Sequence, residues 1–287
     1  MNRTFNTVIP SSIEDAYAWL SMEGSMPLAG GTGLLVALRD GAKRPSRMVL
    51  LDYLPELTGI RDEGDKIVIG AAVTHSELIA SEIVGSRLPL LALSAFKVGS
   101  VQIRNRGTIG GNVANASPAA DTVPALRVHD AVCVLGSRAG ERRVSLEAFQ
   151  TGPGSTMLAP GELILRFEVP VLPGKWYVHF EKLGQRKAMA CAKISCAAAA
   201  RIEKGVVSDI RLALAAVAPT VLRLKRVEEH IVAKGSVAPD DGNVAKFVAE
   251  TVSPIDDIRS SADYRAEMSV VLVRRALRAL CSTRRGR

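Results

Sequence analysis

Two short glycine-rich segments are the places where residue type and spacing point to chemistry. In the first, Leu28 and Ala29 lead into Gly30, Gly31, Thr32 and Gly33, and Leu34 and Leu35 follow. In the second, Thr108, Ile109, Gly110, Gly111 and Asn112 run together. Consecutive glycines can take positive φ and turn successive backbone N–H groups into one concavity, which suits an anion. They also present no Cβ to a phosphate approaching the main chain, and Thr32 adds a hydroxyl. Each segment taken singly reads first as a tight turn. No G-x-G-x-x-G is present, and no acidic residue is placed to read a ribose after Gly33, so the Rossmann fingerprint is absent. A P-loop motif is absent too.

Other reactive residues are scattered. His75, His129, His179 and His230 stand alone without metal spacing. The four cysteines, Cys133, Cys191, Cys196 and Cys281, form no C-x-x-C pair, so neither zinc nor an iron–sulfur cluster is expected on this chain. No Ser-His-Asp order and no pair of carboxylates suggests a self-contained catalytic centre, and Ser117 beside Pro118 reads as a turn former.

The elements that must position the glycine segments follow from periodicity and punctuation. Residues 4–9 are strand-prone, Pro10 ends them, and Ser11 or Ser12 caps a helix carrying Glu14 and Asp15 in its first turn. A strand over 26–29 enters the first glycine turn, a helix over 34–39 leaves it, and a strand over 48–51 completes a small parallel α/β unit. Further on, a strand is expected over 66–72 and helices over 88–98 and 121–128, the last with Asp121 as a possible cap. Strands follow over 131–136, 142–145 and 162–169. Pro170, Pro173 and Gly174 mark a linker. Strands over 176–183, 193–202 and 206–217 then form an antiparallel meander, whose alanine-rich middle strand needs close cover on both faces. Helices are expected over 222–233, 243–251 and 262–280. This gives a first domain, 1–172, divided at about 1–55 and 56–172, and a second domain, 173–287.

Composition narrows the classes. The hydrophobic share of 47% suits a globular protein, and the 4% aromatic share leaves little for base stacking. The net charge of +8 is spread along the chain apart from Arg284, Arg285 and Arg287, so a solvated surface with a frayed tail is expected first, a docking face next and nucleic acid last. The opening residues lack the apolar stretch of a signal peptide and no run is long enough to span a bilayer, so the cytoplasm is the expected location.

The segment from Leu28 to Thr32, then Gln102, Ile103, Arg104 and Asn105, then Thr108 to Asn112 with Ser117, Pro118 and Asp121, together resemble the FAD-binding medium subunit of the molybdenum hydroxylases, the xanthine dehydrogenase, carbon monoxide dehydrogenase and aldehyde oxidase type. The resemblance continues through Gly161, Glu162, Leu163 and Ile164 and through Phe180, Glu181, Lys182, Leu183 and Gly184, spanning nearly the whole chain. It implies an α+β fold: a two-subdomain FAD-binding part of the PCMH type, then a three-stranded antiparallel sheet with a helical bundle. It implies FAD as cofactor, with the diphosphate on the amides of Ala29, Gly30, Gly31, Thr32, Gly33 and Leu34 and on the Thr32 hydroxyl. Thr108, Gly111 and Asn112 would close over it, flanked by Ile109 and Gly110 and with Asn115 nearby. Asp121 would accept from a sugar or ribityl hydroxyl. Val98 and Gly99 would line the flavin or adenine, and Ile164 and Lys182 would lie along the isoalloxazine.

The resemblance also implies a large molybdopterin subunit and a small [2Fe-2S] subunit as partners, in a dimer of heterotrimers. FAD would pass electrons to NAD or another acceptor, with no membrane insertion and no nucleic acid. Two departures bear on this. Gly33 stands where many relatives carry Asp or Ser, and residues 186–190 lack an acidic residue often found there, which weakens any inherited reading of NAD reactivity. A cysteine-bearing insertion found in one branch is missing as well. The rival readings are a self-contained FAD-dependent oxidase or dehydrogenase, which would need its own general base, and a basic nucleic-acid-binding or scaffold protein without cofactor.

Overall fold

A computed structural model describes residues 6–186 and 189–282. Residues 1–5, Lys187 and Ala188, and the basic run Arg284, Arg285 and Arg287 lie outside the described residues.

The chain begins with β1 (Asn6–Val8), helix α1 (Ile13–Leu20), β2 (Ser25–Leu28), α2 (Leu34–Arg39) and β3 (Arg47–Leu50). The strands form a three-stranded parallel sheet in the order β1-β3-β2. Ser12 caps α1 by accepting from Asp15 N at 3.1 Å. The helix turns Ile13, Ala16, Tyr17 and Leu20 onto Val49, Leu51, Leu54 and Leu57, the one apolar face that 3.6-residue periodicity predicts.

A five-stranded antiparallel sheet follows, ordered β4-β5-β10-β6-β7. Its strands are β4 (Ile60–Asp62), β5 (Lys66–Gly70), β6 (Val132–Ser137), β7 (Gly140–Ser145) and β10 (Leu163–Pro170), with a small pair, β8 (Gln150–Gly152) and β9 (Ser155–Thr156), between them. Short helices fill the long connection from β5 to β6: α3 (His75–Ala80), α4 (Glu82–Arg87), α5 (Pro89–Phe96), α6 (Val101–Arg106), α7 (Ile109–Ala114) and α8 (Val123–Val128), and α9 (Leu146–Phe149) follows β7. The second glycine segment is therefore the start of a helix. The Thr108 hydroxyl caps it, accepting from Gly111 N at 3.0 Å.

The last part holds β11 (Tyr177–Gly184), β12 (Ala192–Glu203), β13 (Val206–Ala215) and β14 (Leu222–Arg223), hydrogen-bonded in that order, and helices α10 (Lys225–Lys234), α11 (Gly242–Thr251) and α12 (Ala262–Ser282). The helix expected from residue 222 starts only at Lys225, because Leu222 and Arg223 pair with Leu214 and Ala213 and add a two-residue strand to the meander. Ala197 and Ala199 of β12 face the middle core, while Cys196, Ala198 and Ala200 face α10–α12. Both faces are fully covered, so small side chains let helices close on each side. Cys191 is exposed and Cys196 buried, and none of the four cysteines is in a disulfide among the described residues. No helix among the described residues is long and apolar enough to cross a membrane.

Candidate cofactor site

The β2–α2 turn and residues of α3, α6 and α7 enclose a cleft of about 540 Å³, within the size range of small-molecule and cofactor sites. Its wall includes Leu28, Ala29, Gly30, Gly31, Thr32, Gly33, Leu34, Val98, Thr108, Gly110, Gly111, Asn112, Asn115 and Ile164, so fourteen of the residues expected at a cofactor come together there. Five do not. Leu35 faces a second hollow of about 370 Å³ behind the first turn, beside Leu50 and an Arg106–Asp52 ion pair at 2.6 Å. Ile109 is wholly buried in the middle core. Gly99 sits at φ +45°, where a Cβ would press on Ile103. Asp121 and Lys182 are also absent from the cleft wall.

The two glycine segments do different work. Among the described residues, the consecutive amides of residues 29–34 donate to no protein acceptor; the next one, Leu35 N, returns to Gly31 O at 3.0 Å. Free amides in a row are what an anion needs. The second segment spends its amides internally: Ile109 N donates to Val73 O and Gly110 N to Ala71 O, both at 2.9 Å, Gly111 N to the Thr108 hydroxyl, and Asn112 N to Thr108 O at 3.0 Å. The expectation that both segments offer backbone cradles is corrected here. The second keeps only the Thr108 amide and its side chains to offer. The Asn112 Oδ1 accepts from the Thr122 hydroxyl at 2.7 Å, which leaves its amide NH2 to donate elsewhere.

Glycine at positions 30 and 110 serves chain-to-chain approach. A Cβ on Gly30 would overlap the Arg106 carbonyl, and one on Gly110 would stand 2.6 Å from the Ala71 carbonyl oxygen. These contacts draw the two segments to opposite walls of one cleft. At Gly33 a Cβ would meet only the Asn115 Oδ1, at 3.9 Å, so that position opens onto the cleft. A cradle of free amides, a facing wall with an amide donor and apolar flanks at Leu28, Val98 and Ile164 fit a molecule with a diphosphate and an aromatic ring system.

Asp121 and Lys182 hold each other instead of reaching the cleft. The Lys182 ammonium donates to Asp121 Oδ2 at 2.6 Å and to Lys97 O at 3.0 Å. Burial pushes the Asp121 carboxyl up to about 6, with the Lys182 charge and hydrogen bond working against it. Asp121 does not cap the following helix, whose N-cap position is Thr122. Its Oδ1 is buried without a partner.

Sequence reasoning missed several wall residues: Lys43, Ala71, His75, Ile103, Gly107, Leu158 and Glu162 among them. His75 had a visible signal only as part of a helix start, since Thr74 and Glu77 form a capping box. Nothing marked Lys43. Glu162 receives two bonds at 2.7 Å from Arg142, and these hold its carboxyl below the usual range; it stays ionised and is no proton donor. Among the described residues, no group of three or more His, Cys, Asp or Glu could hold a metal ion.

Residues 3–172 match the family model of the FAD-binding domain in molybdopterin dehydrogenase. The chain belongs to this family. Residues 179–280 match the C-terminal domain of carbon monoxide dehydrogenase flavoproteins. The carbon monoxide dehydrogenase medium chain of Hydrogenophaga pseudoflava is 37% identical over 94% of each chain. The xanthine dehydrogenase FAD-binding subunit of Escherichia coli O157:H7 is 32% identical, over 87% of this chain and 86% of its own. A solved carbon monoxide dehydrogenase from H. pseudoflava superposes with a TM-score of 0.93 at 34% identity, covering 98% of this chain and 99% of that one. Quinoline 2-oxidoreductase from Pseudomonas putida 86 gives 0.90 at 28% identity, covering 98% of each. The protein is an FAD-binding subunit of an oxidoreductase of the molybdenum hydroxylase type, and FAD is its cofactor. That membership removes the cofactor-free scaffold from consideration.

Proposed function

We propose that the chain is the electron-transfer subunit of its complex, taking electrons from [2Fe-2S] clusters of a small partner and delivering them to NAD or another acceptor, while a large molybdopterin subunit transforms the substrate. The observation that carries this reading is the row of free amides over 29–34, in a cleft whose second glycine segment has the amides of Ile109, Gly110, Gly111 and Asn112 already used. The residues along 28–34 bind and orient the diphosphate, with Asn112 and Asn115 facing them. Val98 and Ile164 give the ring system apolar contact and exclude water. Bound FAD supplies the redox chemistry, and the protein supplies position and electrostatics. The wall's titratable groups are suited to holding rather than to proton abstraction: Glu162 is locked to Arg142.

In this reading 1–172 is the FAD-binding domain, divided at about 55, and 173–287 is the C-terminal domain. The complex is a dimer of heterotrimers in the cytoplasm. Purification with both neighbouring subunits tests the proposal: one FAD per chain and co-elution of a large and a small partner are expected. A colourless chain that also refuses added FAD would overturn it, as would substrate turnover by the chain alone. Anaerobic mixing with NADH then separates NAD from other acceptors by whether the flavin absorbance bleaches.

A further inference from the structure

His75 opens α3, and its backbone N–H donates to Gly107 O at 3.0 Å. The side chain is only 2% exposed, yet it forms part of the cleft wall. Among the described residues the ring makes no hydrogen bond, and its Nδ1 is sealed from solvent without a partner. Its Cδ2 and the Thr32 hydroxyl oxygen each lie 3.3 Å from the point that a Cβ on Gly107 would occupy. The Cδ2–Nε2 edge of the ring is therefore turned toward the place where the two glycine segments meet.

The ring is neutral at physiological pH, because burial first and the nearby Arg104 second push its pKa down to about 4. A neutral imidazole carries one proton on one of two nitrogens. Placing it on the sealed Nδ1 would bury an N–H with no acceptor, an arrangement native structures rarely contain. The proton belongs on Nε2. That makes the cleft-facing edge a donor and leaves a lone pair on the sealed side.

We propose that the His75 Nε2–H is an additional donor to the diphosphate of FAD, working with the free amides of residues 29–34 across the same cleft. The inference rests on the reading of this cleft as the FAD site. His75 is neither charged nor able to leave its place, so it adds a fixed hydrogen bond without repelling the guanidinium of Arg104.

Two variants of the full chain separate this role from packing. In His75→Gln the amide nitrogen can stand near the original Nε2, and in His75→Leu no donor remains. By flavin-fluorescence titration, His75→Leu should bind FAD roughly ten- to a hundredfold more weakly, the effect of losing a hydrogen bond to a charged group, and His75→Gln should stay within about threefold of the unaltered chain. Equal affinities in the two variants, whether both high or both low, would overturn the proposal. An unaltered chain that takes up no FAD would instead overturn the cofactor reading beneath it. Should His75→Leu fail to fold, nitrogen-15 histidine spectra of the unaltered chain decide. The Nε2–H resonance that disappears in His75→Gln should move downfield and exchange more slowly when FAD is added, and an unmoved resonance would overturn the proposal.

Discussion

Gly30 and Gly33 lie in one turn and carry the same side chain, but alanine should act differently at each. At Gly30 the new Cβ would overlap the Arg106 carbonyl, so the two cleft walls must separate. Overpacking of a closed contact costs about 1–3 kcal/mol and more where backbone must move, and the flavin content of Gly30→Ala should fall to a small fraction. At Gly33 the Cβ meets nothing nearer than 3.9 Å; Gly33→Ala should leave the apo chain's urea-unfolding free energy within about 0.5 kcal/mol of the original, as surface substitutions usually do. If both variants keep stoichiometric FAD by absorbance, the close approach of the segments is not what shapes the site. The Asp121–Lys182 pair makes a second residue-scale case. Lys182→Met would leave a buried carboxyl without its cation, an arrangement that costs about 3–5 kcal/mol when the charge is kept. The folded chain answers by holding the Asp121 proton more tightly, so its carboxyl should titrate above the present value of about 6, as infrared absorption of the carboxyl would report.

At the scale of elements, the covered strand β12 and the capped helix α7 set opposite tolerances. Ala199 is fully buried against the middle core, so Ala199→Leu should cost about 1–3 kcal/mol in urea unfolding. Thr108→Ala removes only the cap on Gly111 N and should cost about 1 kcal/mol. An Ala199→Leu variant as stable as the original would mean that the two helical layers do not close on the strand. The same two elements mark what the sequence made legible. The alternation and punctuation around β12 announced a meander, and the run of alanines announced cover on both faces. The first glycine turn was equally legible, since strand, glycines and helix appear in order. The helical start at Thr108 was hidden, because two glycines in a row read as a turn, and only tertiary bonds from Gly110 to Ala71 and from Ile109 to Val73 fix them as a helix. Strand β14 was hidden for a similar reason. Arg223 is drawn to the sheet edge by Glu228 and Asp130, at 2.8 and 2.9 Å, and periodicity carries no trace of a partner as far away in the chain as Asp130. The Asp121–Lys182 pair joins residues from distant parts of the chain, so motif order suggested two ligands where the fold makes one ion pair.

For the whole molecule, three buried titratable groups shape how stability responds to mild acid. His75 and His129 have pKa values lowered from 6.5 to about 4, mainly by burial. The unfolded chain takes up a proton on each as pH falls from 6.5 toward 4, and the folded chain does not, so their contribution is full above pH 6.5 and is lost below it. Asp121 works in the other direction. Its value is raised from 3.8 to about 6, so the folded chain binds that proton first and gains relative stability as pH falls through the same window. Two histidines oppose one carboxyl, and each tenfold difference in proton affinity between folded and unfolded chain is worth about 1.4 kcal/mol. The net contribution of these three groups between pH 7 and pH 4 is a loss of roughly 3–4 kcal/mol, a large share of a stability of about 5–15 kcal/mol. Toward pH 4 and below, the ion-paired Asp241 and Asp257, held under the usual carboxylate range by Lys234 and His230 and by Arg265 and Arg259, and the arginine-paired Glu141, Glu147, Glu162 and Glu168 add further acid loss. His75→Gln removes one of the two histidine contributions and leaves His129 and Asp121 nearly balanced. Its urea-unfolding free energy should therefore fall less between pH 7 and pH 4 than that of the unaltered chain. A variant that keeps the full slope of the unaltered chain would show that His75 is not the neutral, buried ring on which the reading of its cleft-facing proton depends.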